Sequence, residues 1–222
     1  MAQRRPKREP KKEPLSRERV LAAALRLADE EGIEALTMRR LGQELGVEAM
    51  TLYYHVGSKD ELLDALVDIV TDEFELAALG TDWKAAIRAT ALSGYAALTR
   101  HPWAANLTLS LRRVSAARLR YMDSILGVLR AAGFSDELVD RGYHAIEGHI
   151  MGFTLWEVGM NLGSREDIEA LATDFLNTLA VGDYPQVAAH VDHHRRQREP
   201  AEIGAFEFGL ELILDGLERL RA

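Results

Sequence analysis

The sequence has no cysteine among its 222 residues, which excludes disulfides, thiolate metal sites and thiol nucleophiles. That absence suits a reducing cytoplasm. Long apolar runs are missing as well. The basic start MAQRRPKREPKKEP is followed by no stretch of signal-peptide type, and nowhere does an uncharged segment approach the roughly 18 residues of a membrane span. A soluble, cytoplasmic protein that meets no membrane is expected. There is no H-E-x-x-H pair, phosphate loop or nucleophile elbow, so no catalytic residue, resident metal or cofactor is implied. Period-two alternation is not sustained anywhere, and Val, Ile and Thr are not gathered into short blocks, so strands are not expected and the chain reads as all-α.

What is present is a globular balance of 47% hydrophobic and 28% charged residues. The net charge of −8 is unevenly spread: residues 1–60 carry 12 Lys/Arg against 10 Asp/Glu, and the remaining 162 carry 15 against 25. This asymmetry points to an N-terminal module that meets a polyanion and a larger body that does not. The first 14 residues hold six basic side chains and three of the six prolines. They read as a flexible basic arm, 1–14, serving either solubility or contact with DNA.

Helix punctuation is clear after the arm. A first helix runs from Ser16 as N-cap to Gly32 as C-cap, with Val20, Ala24, Leu27 and Ala28 on one face. Thr37 caps a short second helix in which Met38, Leu41 and Leu45 recur at helical spacing, and Gly46 closes it. A third begins near Glu48 and ends by Gly57, with Val47, Leu52 and Val56 turned inward. Gly42 falls where two of these helices must cross. Three short helices in this order form a helix-turn-helix head over 15–60. If Leu52 and Val56 face the core, then Met50, Tyr53, Tyr54 and His55 are spread around the other sides at about 100° each and cannot all be core. With Thr51 they offer hydroxyls, an imidazole and apolar groups to phosphates and base edges. Ser58-Lys59-Asp60-Glu61 then opens the next helix as a capping box, with a lysine in a first turn that attracts an anion.

The stretch LTMRRLGQELGVEAMTLYYHVGSKDELLDAL resembles the DNA-binding segment of the TetR (tetracycline repressor) family, specifically over about residues 15–70. The resemblance implies Arg39, Ala49, Met50, Thr51 and Tyr54 as base-facing positions, with Thr37, Tyr53, His55 and Lys59 on the phosphate backbone. Ala49 and Met50 depart from the more polar or proline-bearing members, so reading at that corner is expected to be apolar. LTRHPW and FEFGLELILDGLERL are similar to segments of the tetracycline-repressor-type C-terminal domain.

The body, 61–222, reads as helices near 58–78, 82–99, 103–112, 115–132, 135–161, 165–180 and 201–221, broken at Gly80, His101-Pro102, Gly133, Gly163 and Pro200. Ile203, Phe206, Leu210, Ile213, Leu217 and Leu220 form a seam of coiled-coil type, with Phe208, Leu212 and Leu214 beside it. Ala145, Gly148, Gly152 and Gly159 form a stripe of small residues on the longest helix. Together they suggest a four-helix bundle between two chains, and TetR-like proteins dimerise through the corresponding helices. The expected interface is Ala145, Gly148, Gly152, Gly159, Phe206, Leu210, Ile213 and Leu217.

A small-molecule pocket is expected among Trp83, His101, Trp103, Tyr121, His144, Glu147, Phe153 and Trp156, since aromatic walls with few polar groups suit one. The resemblance allows an effector chelated with a metal at His101, His144 and Glu147. A second histidine group, AAHVDHHRRQ, spaces His190 and His194 for zinc only if helical, and reads instead as a loop before Pro200. The whole is expected to be a homodimeric repressor that a small-molecule effector releases from a palindromic operator. A dimeric helical adaptor and a small-molecule-processing enzyme, neither with sequence-specific DNA binding, stay open as alternatives.

Overall fold

The structure is a computed structural model. It describes residues 14–80, 82–110, 115–160, 165–178, 184–196 and 204–221, without the side chains of 165–168, 175, 176, 178, 194 and 195. No strand occurs among them. The chain divides into two compact units, Met1–Leu66 and Val67–Ala222, called here the head and the body.

The basic arm expected over 1–14 lies outside the described residues, except for Pro14. The head helices start and stop where a side chain or a glycine satisfies the end, except at the start of α3, where Glu48 makes no side-chain capping hydrogen bond. In α1 (Arg17–Glu31) the Ser16 hydroxyl accepts from the Arg19 N–H at 3.2 Å. In α2 (Met38–Leu45) Thr37 Oγ1 accepts from the Arg40 N–H at 3.1 Å. Such caps contribute about 1 kcal/mol apiece. Gly46 ends α2 in the left-handed region at φ 68°, where a Cβ would be strained. Next comes α3 (Ala49–Val56). Val20, Leu27, Leu36, Leu41, Leu52 and Val56 are buried, which makes a small but complete core. The crossing at Gly42 is tight: a Cβ there would lie 2.8 Å from the Val47 carbonyl oxygen.

The chain passes from head to body within α4 (Lys59–Asp72), capped by Ser58 Oγ, which accepts from the Glu61 N–H at 3.1 Å. The expected helix over 58–78 is too long. It stops at Asp72 because hydroxyls replace helical acceptors: the Glu75 N–H donates to Ser93 Oγ at 2.7 Å and the Ala77 N–H to Ser124 Oγ at 3.2 Å. Two of the backbone donors after α4 are thereby satisfied by side chains of the body.

The body contains α5 (Trp83–Arg100), α6 (Pro102–Ser110), α7 (Ala116–Ala131), α8 (Asp136–Gly159), α9 (Arg165–Thr178), α10 (Pro185–Arg196) and α11 (Ala205–Arg221). Gly80 and Gly133 break the pattern with φ of 83° and 87°. The 24-residue α8 is the hub, packing against α5, α6, α7 and α11. Ile146 and Ile150, with no exposure, lie at its centre. Arg88–Glu211 and Lys84–Asp215 tie α5 to α11 along their outer edges.

One expectation is corrected here. The histidine-rich segment is helix α10, not a loop. Proline is favoured at a first helical position, and Asp192–Arg196 adds an ion pair one turn apart. It packs against α9. The His194 side chain, and the breaks expected at Gly163 and Pro200, lie outside the described residues.

Candidate nucleic-acid interface and effector site

Of the outward-facing residues on α3, Tyr54 is 89% exposed, Met50 76% and Tyr53 39%. Thr51 is exposed as well, Ala49 and His55 are half-buried, and the Tyr54 and His55 rings meet edge-on at 5.3 Å. Leu52 and Val56 nail the opposite side of the helix into the core, so the exposed residues are presented on a fixed support. The neighbouring arginines of α2 are sorted by their surroundings. Arg40 is held between Glu31 and Glu44, at 2.5 and 3.2 Å, whereas Arg39 is exposed and joins no ion pair among the described residues. Arg40 therefore braces the head and Arg39 is available to a ligand. Thr37 spends an acceptor on its cap and keeps its hydroxyl proton for an outside partner. Lys59 is exposed at the start of α4.

The body does not bring its expected pocket residues to one place. Trp83 is buried against Phe134 at the far end of α5, and its Nε1 donates to Glu218 at 2.9 Å. It borders an open cavity of about 350 Å³ with Leu79, Asp82, Val128 and Arg221. His101 lies at the α5–α6 corner with Nε2 3.3 Å from Glu73, beside Trp103 at 6.1 Å between ring centroids. His144 is exposed and faces Asp140 at 3.6 Å, whereas Glu147 is turned inward. His101, His144 and Glu147 thus do not converge on a shared metal. Among the described residues, no three His, Asp or Glu side chains gather as a metal site.

Tyr121 and Glu147 do meet. The buried Tyr121 hydroxyl donates to Glu147 Oε2 at 2.9 Å. Burial pushes the Glu147 carboxyl above its ordinary range, against the pull of the Tyr121 hydrogen bond and of Arg118. Burial, reinforced by Glu147, raises Tyr121 well above the usual phenol range and Tyr143 to about 12. Such a pair is a polar spot inside an apolar wall. Phe153 belongs to a separate cluster: its ring meets Tyr95 and Phe206, and Tyr95 stacks on Phe206 at 4.1 Å and 9°. Trp156, 5.7 Å from Phe153, is 53% exposed.

Sequence reasoning missed two residues of this region. Phe74 packs edge-on against Tyr121 at 5.3 Å, two residues beyond the end of α4. Its only visible signal was an aromatic in the stretch read as the end of a helix. The second is Tyr95, whose hydroxyl donates to Glu157 at 2.5 Å, and whose pKa burial and Glu157 raise to about 12.

The expected dimer seam needs a correction. Phe206, Leu210 and Leu217 are inside the chain's own core and have no surface left for a partner, because α11 packs on α8 and α5. Ile213 is half-buried. The outward large apolar residues of α11 are Phe208, Leu212 and Leu220, 60%, 58% and 65% exposed, so Leu220 of the expected seam is not in the chain's own core. On α8, Ala145, Gly148, Gly152 and Gly159 are exposed, and a Cβ on any of the three glycines would meet open space.

Residues 20–66 match the family model for bacterial regulatory proteins of the tetR family, and residues 76–221 match that for the tetracyclin repressor-like C-terminal domain. The chain belongs to the TetR family. It is 35% identical to the HTH-type transcriptional repressor DrrR1 of Streptomyces coeruleorubidus, over 99% of this chain and 83% of that protein. To the class D tetracycline repressor protein of Escherichia coli it is 45% identical, over 93% and 87%. Its fold is similar to that of the Streptomyces coelicolor TetR family protein ActR in complex with actinorhodin, with TM-score 0.73, 29% identity, and coverage of 93% of this chain and 96% of that one. Like other TetR-family members, it is a ligand-responsive, DNA-binding transcriptional repressor whose partners are operator DNA, a small-molecule effector and a second copy of itself. No described helix is long and apolar enough to cross a membrane.

Proposed function

We propose that this TetR-family repressor reads base edges with Arg39, Ala49, Met50, Thr51 and Tyr54, and holds the phosphate backbone with Thr37, Tyr53, His55 and Lys59. The observation that carries this reading is the exposure of Tyr54 and Met50 on a helix whose other side is fully buried. A fixed helix with a free polar-apolar face fits a major groove. Met50 has no hydrogen-bonding group to match a base edge, so the base it meets is recognised through a thymine methyl. The protein acts in the cytoplasm and catalyses nothing.

The two heads are brought to about 34 Å spacing by a four-helix interface in which Ala145, Gly148, Gly152 and Gly159 of α8 and Phe208 and Leu212 of α11 face their counterparts. The effector enters the body at the Tyr121–Glu147 pair. A ligand that takes the Glu147 hydrogen bond releases Tyr121, and Tyr121 rests on Phe74, at the exit of the helix that leads to the head. The effector's preference for the released state must reach about 5 kcal/mol to turn a mostly bound population into a mostly free one. That ActR, similar in fold, is seen in complex with actinorhodin supports a small-molecule effector for the body.

Selection from a random double-stranded DNA library at near-physiological salt tests the reading. Enrichment of a palindrome with half-sites about one helical turn apart is expected, and replacing one thymine by deoxyuridine should weaken the native protein but not Met50→Ala. Recovery of no motif, with binding that vanishes on adding salt, would reduce the head to a phosphate binder.

A further inference from the structure

Two close approaches hold α8 against α11, and each uses a glycine on one helix to admit a side chain from the other. At the first, a Cβ on Gly209 of α11 would lie 2.5 Å from Cε1 of His149, so the imidazole occupies the space that a side chain would fill. At the second, a Cβ on Gly142 of α8 would lie 3.2 Å from Leu217 Cδ2. The slots are reciprocal: α8 inserts into α11 at one point, and α11 into α8 at the other. Gly142 and His149 are about two helical turns apart, as are Gly209 and Leu217, and the order of the pairs makes the helices antiparallel.

The two slots differ in chemistry. Leu217 fills its slot with apolar groups, whose attraction has no preferred direction. His149 adds a directional bond: its Nε2 lies 2.8 Å from the carbonyl oxygen of Phe206, in the first turn of α11. A carbonyl only accepts, so Nε2 is the donor, and the second lone pair of that oxygen stays available to the Leu210 N–H inside the helix. The imidazole also stacks on the Phe206 ring at 4.7 Å and 24°, and the Tyr95 ring of α5 stacks on Phe206 at 4.1 Å. His149 thus meets α11 through a backbone bond, a ring and a slot, all within one turn of that helix. The same stretches carry the surface proposed for the dimer: Gly148 and Gly152 flank His149 on α8, and Phe208 and Leu212 flank Gly209 on α11. A slip of α11 by one residue would carry its outward face about 100° round the helix and about 1.5 Å along it, turning Phe208 and Leu212 out of that surface.

We propose that His149 is a positioning residue for dimerisation: its hydrogen bond to the Phe206 carbonyl, made possible by Gly209, sets the register of α11 on α8 and so aligns the two outward faces that a second copy of the chain meets. This role rests on the α8–α11 interface proposed above and is exercised from inside one chain. Gly142 and Leu217 supply packing at the other end of the contact, and the histidine supplies direction.

The test compares the full native chain with His149→Gln, His149→Phe and Gly209→Ala. His149→Gln can place an amide N–H near the same carbonyl, His149→Phe keeps a ring in the slot without a donor, and Gly209→Ala leaves the imidazole intact but closes its slot. Dimer dissociation is measured by sedimentation over a range of concentration, subunit exchange by mixing two fluorescently labelled preparations, and folding by helix content and thermal unfolding. His149→Phe and Gly209→Ala are expected to raise the dissociation constant by about tenfold or more and to speed exchange, because a symmetric interface counts each misplaced helix twice. With its donor restored, His149→Gln should stay close to the native values. Native dissociation and exchange for both His149→Phe and Gly209→Ala would make His149 an ordinary packing residue and overturn the proposal. Equal weakening by all three, His149→Gln included, would tie the effect to the bulk of the imidazole and not to its hydrogen bond, and would overturn it too. Should His149→Phe fail to fold, Gly209→Ala decides between the same outcomes. The surface itself is checked with His149 native: a chain that stays dimeric with Phe208→Glu and Leu212→Glu would place the interface elsewhere, a distinct result that removes the foundation of the proposal.

Discussion

In the head, Met50, Tyr53 and Tyr54 stand in solvent on α3, while in the body Phe74, Trp83, Trp103 and Tyr121 are buried, although both units are helical and draw on the same residue types. The difference lies in what holds each helix. The head's short α3 needs only Leu52 and Val56 to fix it, so its other sides are free to carry large side chains as a reading surface. The long α8 packs against four helices, and polar residues on its packed sides find partners there: Glu147 takes a hydrogen bond from Tyr121 and Glu157 one from Tyr95. An aromatic side chain is thus a binding surface where one face suffices for packing, and a structural element where several faces are needed.

The sharpest break in that comparison is on α11, where the body exposes Phe208 and Leu212 one turn apart. Phe208→Glu combined with Leu212→Glu should abolish dimerisation, because each side chain is worth about 1.5–3 kcal/mol when buried and a carboxylate in its place adds a desolvation penalty. Sedimentation should show a monomer with native helix content, and palindrome binding should fall to the level of a single half-site. A dimer that survives both charges would move the interface elsewhere.

The head's own contrast of inside and outside comes next in size. Leu52→Ala removes a fully buried side chain and should destabilise the head by about 2–5 kcal/mol in denaturant melts. Tyr54→Ala, on the same helix but 89% exposed, should leave stability within about 0.5 kcal/mol and lower operator affinity by about 1–3 kcal/mol. Equal losses on operator and random DNA for Tyr54→Ala would remove it from the base readers.

This contrast also explains why the head was more legible in sequence than the body. Ser16, Thr37, Gly46 and Ser58 act on neighbours three or four residues away, so their roles are written locally. The close approach at Gly42 follows from two adjacent helices. In the body the decisive partners are distant in sequence. Ser93 and Ser124 end α4 early from α5 and α7, and nothing near residue 75 announces them. The three-four spacing of Phe206, Leu210 and Leu217 on α11 was read correctly as an apolar seam, but periodicity alone does not say whether a seam faces its own chain or another. The long α8 and α11 supplied both kinds of face, and only packing sorted them. His144 and Glu147 illustrate the same limit: three residues apart on a helix, one is exposed and the other half-buried, with its carboxylate hydrogen-bonded by Tyr121.

A smaller effect sharpens the body's side. Since burial holds the folded-state pKa of Glu147 above its unfolded value, the native state binds the extra proton between the two. The stabilisation associated with that proton is complete below the unfolded value of about 4.5 and is lost as pH rises through the raised folded value. Measured against Glu147→Gln, which cannot ionise, the native chain should therefore lose relative stability as pH rises from 4.5 across that window. A difference in melting temperature that is flat with pH would mean that Glu147 is solvated, and the polar spot proposed for the effector would lose its basis.

The smallest effect is expected where the body most resembles an ordinary surface. Arg88 and Glu211 form a two-point ion pair between α5 and α11, with the second contact at 2.8 Å. That hydrogen bond lowers the Glu211 pKa and raises that of Arg88. Both side chains are about a third exposed, at 38% and 34%, so water and salt screen the attraction, and side-chain entropy offsets part of what remains. A double-mutant cycle with Arg88→Ala and Glu211→Ala should return a coupling of about 0.2–1 kcal/mol that shrinks in 1 M salt. A coupling several times larger, insensitive to salt, would mean that the pair is shielded in the dimer. It would then lie beside the Phe208 and Leu212 stripe as part of the same interface, not at its solvated margin.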